Sequence, residues 1–177
     1  MLFRPYLCLV VLLSICFANN ANAAARLADF FGFYLGFGMA TDRIGPIYRT
    51  ERDFRLTIGP LEGGGFEIVW STVKQKGSDP SSLVSEESEH TAQFRPSDQP
   101  GVFLGVNNGT LFSDGPITWA RLQGNVLVVY RMEVDETGVA ELHVYQRMLT
   151  NDGLELIFTA TRDNIEFRSV RGRYRKQ

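Results

Sequence analysis

Apolar residues recur at every second position over most of the chain. From Ile117 onward the sets are Ile117 and Trp119; Val126, Val128, Tyr130, Met132 and Val134; Ala140, Leu142, Val144, Gln146 and Met148; Leu154, Leu156, Phe158 and Ala160; and Ile165 and Phe167. The residues between them are more polar: Arg131, Glu133, Glu141, His143, Arg147, Glu155, Thr159, Glu166 and Arg168. A period of two puts alternate side chains on one face of a strand. The sets therefore predict five strands with the apolar positions inward and the polar ones, His143 included, toward solvent. Gly124-Asn125 and Asp163-Asn164 read as two-residue hairpin loops. Glu136-Thr137-Gly138 and Asn151-Asp152-Gly153 read as three-residue loops ending on a glycine that takes φ > 0 readily. These loops set Trp119 opposite Tyr130, Met132 opposite Leu142, Met148 opposite Leu156 and Ala160 opposite Phe167. Apolar meets apolar each time, and a slip of one residue would break each match.

The first half alternates less cleanly. Phe54, Leu56 and Ile58 form one candidate strand, and Phe66, Ile68 and Trp70 another after Gly63-Gly64-Gly65. Thr91 to Phe94 and Val102 to Val106 are short candidates. Phe31, Phe33, Leu35, Phe37 and Met39 interleave with Gly32, Tyr34, Gly36 and Gly38, so either parity suits the inside there. Lys74 to Glu89, with Gly77, Asp79-Pro80 and serines that include Ser81, Ser82, Ser85 and Ser88, predicts a loop. The pattern amounts to roughly eight to ten strands in an antiparallel meander. Such a meander has exposed edges that closure removes, so the fold expected is an all-β barrel of one domain over 24–177.

The first 23 residues read differently. Arg4, an apolar run from Leu7 to Ala18, and Ala21-Asn22-Ala23 have the charged, apolar and small-residue parts of a secretory signal. The chain is thus expected to be exported to the periplasm or secreted. Both cysteines, Cys8 and Cys16, fall in that segment, so the barrel has none and relies on its core without disulfides. The formal net charge is −2, from 18 basic and 20 acidic side chains, and losing Arg4 makes it −3. That balance has no general pull toward nucleic acid.

The opening Gly32-x-Tyr34, the meander and a late strand bearing Arg171 and Arg173 resemble the calycin group, the lipocalins and related small barrels. The family's first strand carries Gly-x-Trp, whose Trp packs near an Arg of a last strand. The resemblance implies that Tyr34 stands for that Trp, with Arg171 or Arg173 as its partner. The second lipocalin motif, Thr-Asp-Tyr, is absent, and Thr41-Asp42-Arg43 is misplaced for it. The chain also looks like exported bacterial proteins carrying blocks such as Glu51-Arg52-Asp53-Phe54 and Trp119-Ala120-Arg121, a likeness that implies no activity.

Catalytic chemistry finds little support. No cysteine remains for thiol catalysis, no Gly-x-Ser-x-Gly elbow is present, and no acid–base pair is recognisable. Glu86-Glu87-Ser88-Glu89-His90 is the one acid–histidine cluster. It reads as a solvated strand entry, so neither a metal nor a cofactor is expected. The glycine clusters precede no helix and so do not form phosphate sites. The interior is the candidate site: Trp70, Trp119, Tyr130, Gln146 and Arg171 are expected to face it and to contact a small apolar or amphipathic ligand. A void of about 300 Å³ or more between Trp70 and Trp119 would suit such a ligand. A filled interior would leave a non-catalytic interaction module. Arg173, Arg175 and Lys176 offer contact with an anionic surface. A small outer-membrane barrel is disfavoured by the charges expected outside, at Arg131, Glu133, Glu141, Arg147 and Glu155, and an inverted assignment with the apolar face outward would rescue it.

Overall fold

The computed structural model describes residues 25–43, 47–74, 86–110, 115–134 and 137–177. The expected leader and the centre of the Lys74–Glu89 loop lie outside these residues, as does Glu136 of the first three-residue turn. Ten strands among the described residues close into one antiparallel barrel in which each pairs with its neighbours in sequence and the last pairs with the first. They are β1 (Gly32–Asp42), β2 (Tyr48–Pro60), β3 (Phe66–Lys74), β4 (Glu86–Pro96), β5 (Val102–Gly105), β6 (Ile117–Gln123), β7 (Val126–Val134), β8 (Ala140–Leu149), β9 (Gly153–Arg162) and β10 (Ile165–Lys176). The all-β meander and its closure are as the alternation predicted. Glu86 to Glu89 correct the expected loop, because they pair with Lys74 to Ser71 and already belong to β4.

Two of the four predicted registers hold: Trp119 lies opposite Tyr130, and Met132 opposite Leu142. Met148 faces Glu155 instead, and Arg147 faces Leu156. The turn has four residues rather than three, closed by Thr150 N–H donating to Gly153 O at 3.0 Å. Gly153 is not the positive-φ turn residue; it lies on β9 against the backbone of Tyr174 and Arg175. In β10 the Asp163-Asn164 turn forms as predicted, both residues at positive φ, but a bulge follows between Glu166 and Arg168. Ala160 therefore pairs with Arg168, not Phe167. An extra residue exchanges the two faces of a strand. Val170 and Tyr174 are buried, while Arg171 and Arg173 are exposed.

The faces of β6 to β8 are also the reverse of the prediction. Ala120, Leu127, Val129 and Arg147 are buried, 0, 0, 1 and 1% exposed, and Val128, of the opposite parity, is buried outside the core cluster. Trp119, Tyr130, Met132, Leu142 and Val144 take the opposite parity, on the outer surface. Strand β7 is apolar at both parities from Val126 to Tyr130, so its pattern does not distinguish the faces there. Leu154, Leu156, Phe158 and Ala160 do face inward as expected.

One half of the barrel is packed solid. The 3₁₀ turn Leu27–Phe30 lies across that end, with Phe30 wholly buried and Ala25 N–H donating to Gly124 O at 3.2 Å. Behind it Phe66 stacks on Phe94 at 4.7 Å, with Phe103 edge-on at 5.3 Å. Burial of side chains this large contributes about 1.5–3 kcal/mol each. Tyr34 is buried there too and donates to Phe30 O at 2.8 Å. The cation over its ring is Lys176, with Nζ 5.8 Å from the centroid, rather than the Arg171 or Arg173 that the resemblance implied.

Candidate ligand site inside the barrel

The other half of the barrel holds a cavity of about 190 Å³. Its floor is Phe54, Trp70, Leu156 and Phe158, and its polar wall is Arg52, Arg131, Arg147, Arg168, His90 and His143. These come from the ends of β2, β3, β4 and β7 to β10 that point away from the 3₁₀ turn. The inward positions change character along each strand: on β7 from Leu127 and Val129 to Arg131, and on β8 from Leu149 to Arg147, Tyr145 and His143. A barrel packed at one end and polar at the other explains why the sequence pattern inverted. The apolar alternates of β7 and β8 had to turn outward for the polar ones to line this space.

Arg147 is the centre of the site. It is 1% exposed, and its Nε and Nη1 have no hydrogen-bond partner. Its guanidinium carbon lies 5.2 Å from the Tyr145 ring centre and 5.8 Å from that of Trp70. Burial works against its charge, and the hydroxyls of Tyr174, which hydrogen-bonds to it, and Tyr145 work for it. Burial pushes the Tyr174 and Tyr145 hydroxyls up, against the pull of the Arg147 charge. The other cations differ. Arg131 pairs with Glu133, and Arg168 pairs with Asp42. His143 Nε2 lies 3.3 Å from Glu141, which also binds Arg162. His90 lies against Trp70, ring centres 5.3 Å apart. Burial and the Arg131 charge hold both imidazoles below their ordinary value.

Of the residues expected to meet a ligand, only Trp70 lines this cavity. Trp119 and Tyr130 stack on each other outside, 4.9 Å apart and within 5° of parallel. Gln146 and Arg171 are exposed on the outer face. His143, expected outside, lines the cavity, and so do Arg131 and Arg147. The missed residues were visible as the polar alternates of β7 and β8. An unbroken period-two run reports two faces without saying which is inside. The cavity falls short of the about 300 Å³ of a drug-sized site. Among the described residues no group of three or more His, Cys, Asp or Glu side chains is placed to hold a metal ion.

No family model matches the chain, and no curated protein does. Among solved structures, an S-type phycobiliprotein lyase, CPES, from Guillardia theta aligns over 85% of this chain and 90% of its own, at 6% identity and a TM-score of 0.41. That likeness assigns no activity.

Proposed function

We propose that the protein is an exported, lipocalin-like barrel that binds a small, flat, anionic molecule in its polar half. The observation carrying this reading is Arg147: a buried guanidinium with two unpartnered nitrogens beside a cavity among whose lining residues there is no acid. An unmade hydrogen bond at a buried donor costs about 1–3 kcal/mol, and a carboxylate or other oxyanion recovers it through charge-assisted bonds. Trp70, Tyr145 and Phe158 offer flat apolar walls for the rest of the molecule. A cavity of about 190 Å³ suits a small ligand. The leader pattern supports export to the periplasm or beyond. The Gly32-x-Tyr34 strand and closed meander support the lipocalin-like reading.

Benzoate and benzamide, equal in shape and different in charge, test the proposal by calorimetry. Benzoate is expected to bind about tenfold or more tightly, the weight of a charged hydrogen bond, and to change Trp70 fluorescence. Arg147→Met is expected to abolish that difference while keeping the far-ultraviolet spectrum. If native mass spectrometry of protein from the producing cell carries no small molecule, and no small carboxylate binds above the neutral analogue, the cavity holds water alone. The barrel is then an interaction module acting through its outer surface.

A further inference from the structure

A second feature lies on the outside, where β1 meets β10. Phe33, Leu35, Phe37 and Met39 are 44, 42, 68 and 40% exposed. Strand geometry spaces them about 7 Å apart, a row of about 20 Å. Pairing with β10 sets an exposed arginine beside three of them: Arg175 opposite Leu35, Arg173 opposite Phe37 and Arg171 opposite Met39. On the β2 side Arg55 lies opposite Leu35, and Asp53 and Glu51 opposite Phe37 and Met39. Arg173 reaches Glu155 at 3.4 Å but stays 78% exposed, and so open an ion pair binds its cation weakly. An outer groove of about 640 Å³ runs beside the row, lined among others by Phe37, Met39, Ile157, Arg171 and Arg173.

An apolar row with a parallel row of guanidinium groups matches the layering of a membrane interface. Apolar tips enter the acyl boundary while long cationic side chains remain at the phosphates. A lipid surface also requires no shape match to a convex barrel wall. The apolar outer face of β6 to β8 has Arg121 opposite Val128 but no row of arginines, and Trp119, Tyr130, Met132 and Val144 there are only partly exposed. Spanning is a different matter. Exposed Arg49, Glu51, Asp53 and Arg55 on β2, and Glu89 and Arg95 on β4, interrupt any continuous apolar belt. We propose that the β1–β10 face docks the barrel peripherally on an anionic lipid surface, with Leu35 and Phe37 in the headgroup boundary and Arg171, Arg173 and Arg175 on the phosphates.

Cosedimentation of the purified protein with vesicles tests this independently of any interior ligand. Phosphatidylcholine mixed with phosphatidylglycerol is expected to bind it, phosphatidylcholine alone is not, and added salt is expected to weaken the binding. Each juxtamembrane cation contributes about fivefold, so Arg171→Gln, Arg173→Gln and Arg175→Gln together are expected to weaken partitioning on the order of 100-fold. Leu35→Thr with Phe37→Thr keeps strand-forming residues and is expected to weaken it about tenfold. All five positions are exposed, and an unchanged melting temperature verifies the fold. Equal binding to both vesicle types, binding to neither, or a soluble dimer that these substitutions dissociate would overturn the proposal.

Discussion

Arg147 is the residue on which stability and the proposed binding pull in opposite directions. Its guanidinium is surrounded by Trp70, Tyr145 and Tyr174, with Nε and Nη1 unpaired. Methionine has similar length and needs no hydrogen bonds. Arg147→Met is therefore expected to melt within about 1 kcal/mol of the unsubstituted protein, or above it, despite losing the Tyr174 bond. A loss of several kcal/mol in chemical denaturation would show that the cation holds the fold together rather than awaiting a ligand. His90 and His143 make a second prediction. Their folded values lie below the ordinary 6.5 because burial, then Arg131, disfavour the charged form. Above about pH 6.5 both states are neutral, and these groups leave stability unchanged. Below it the unfolded chain takes up protons that the native imidazoles resist, so stability falls with acid. Urea melts across this window are expected to show that fall, and His90→Gln with His143→Gln to flatten it.

Among the elements, the seam of β1 and β10 depends on side chains that are missing. Gly38 pairs with Gly172, and both face inward beneath Phe54. A Cβ on Gly172 would stand 2.6 Å from Phe54 Cε2 and 2.8 Å from the Phe37 carbonyl oxygen. The backbone contact cannot relax without parting the strands. Gly172→Ala is thus expected to cost about 1–3 kcal/mol as overpacking, measured as a lowered denaturation midpoint. An unchanged midpoint would mean that the seam yields freely. The strands themselves were legible: alternation and turn residues located β6 to β10, and Trp119 opposite Tyr130 followed from the Gly124-Asn125 turn. Two registers were not legible. The four-residue turn ending at Gly153 and the bulge at β10 each depend on one added residue, and local composition does not encode it.

On the scale of the whole molecule, closure leaves no free edge, since β10 pairs with both β1 and β9. Deleting residues 172–177 would strip half of β10, bare the edges of β1 and β9, and remove Tyr174 from Arg147. That protein is expected to aggregate, and its β1 amides to lose their protection from hydrogen exchange. Protection unchanged from full length would show that the barrel does not depend on its closing strand. The packed half, sealed by Phe30 and the Phe66–Phe94–Phe103 cluster, supplies the rigidity against which the polar half holds its cations.

The sequence alone determined that the chain forms short antiparallel strands in consecutive hairpins, because period two and turn chemistry are local properties. It also carried the aromatic and basic residues of both candidate surfaces. Tertiary structure decided which alternate set lies inside. A strand offers two equivalent faces, and the choice between them depends on closure, on one bulge and on a polar cavity in one half. Those features put Arg147 within and Trp119 without, and no window of the sequence contains them.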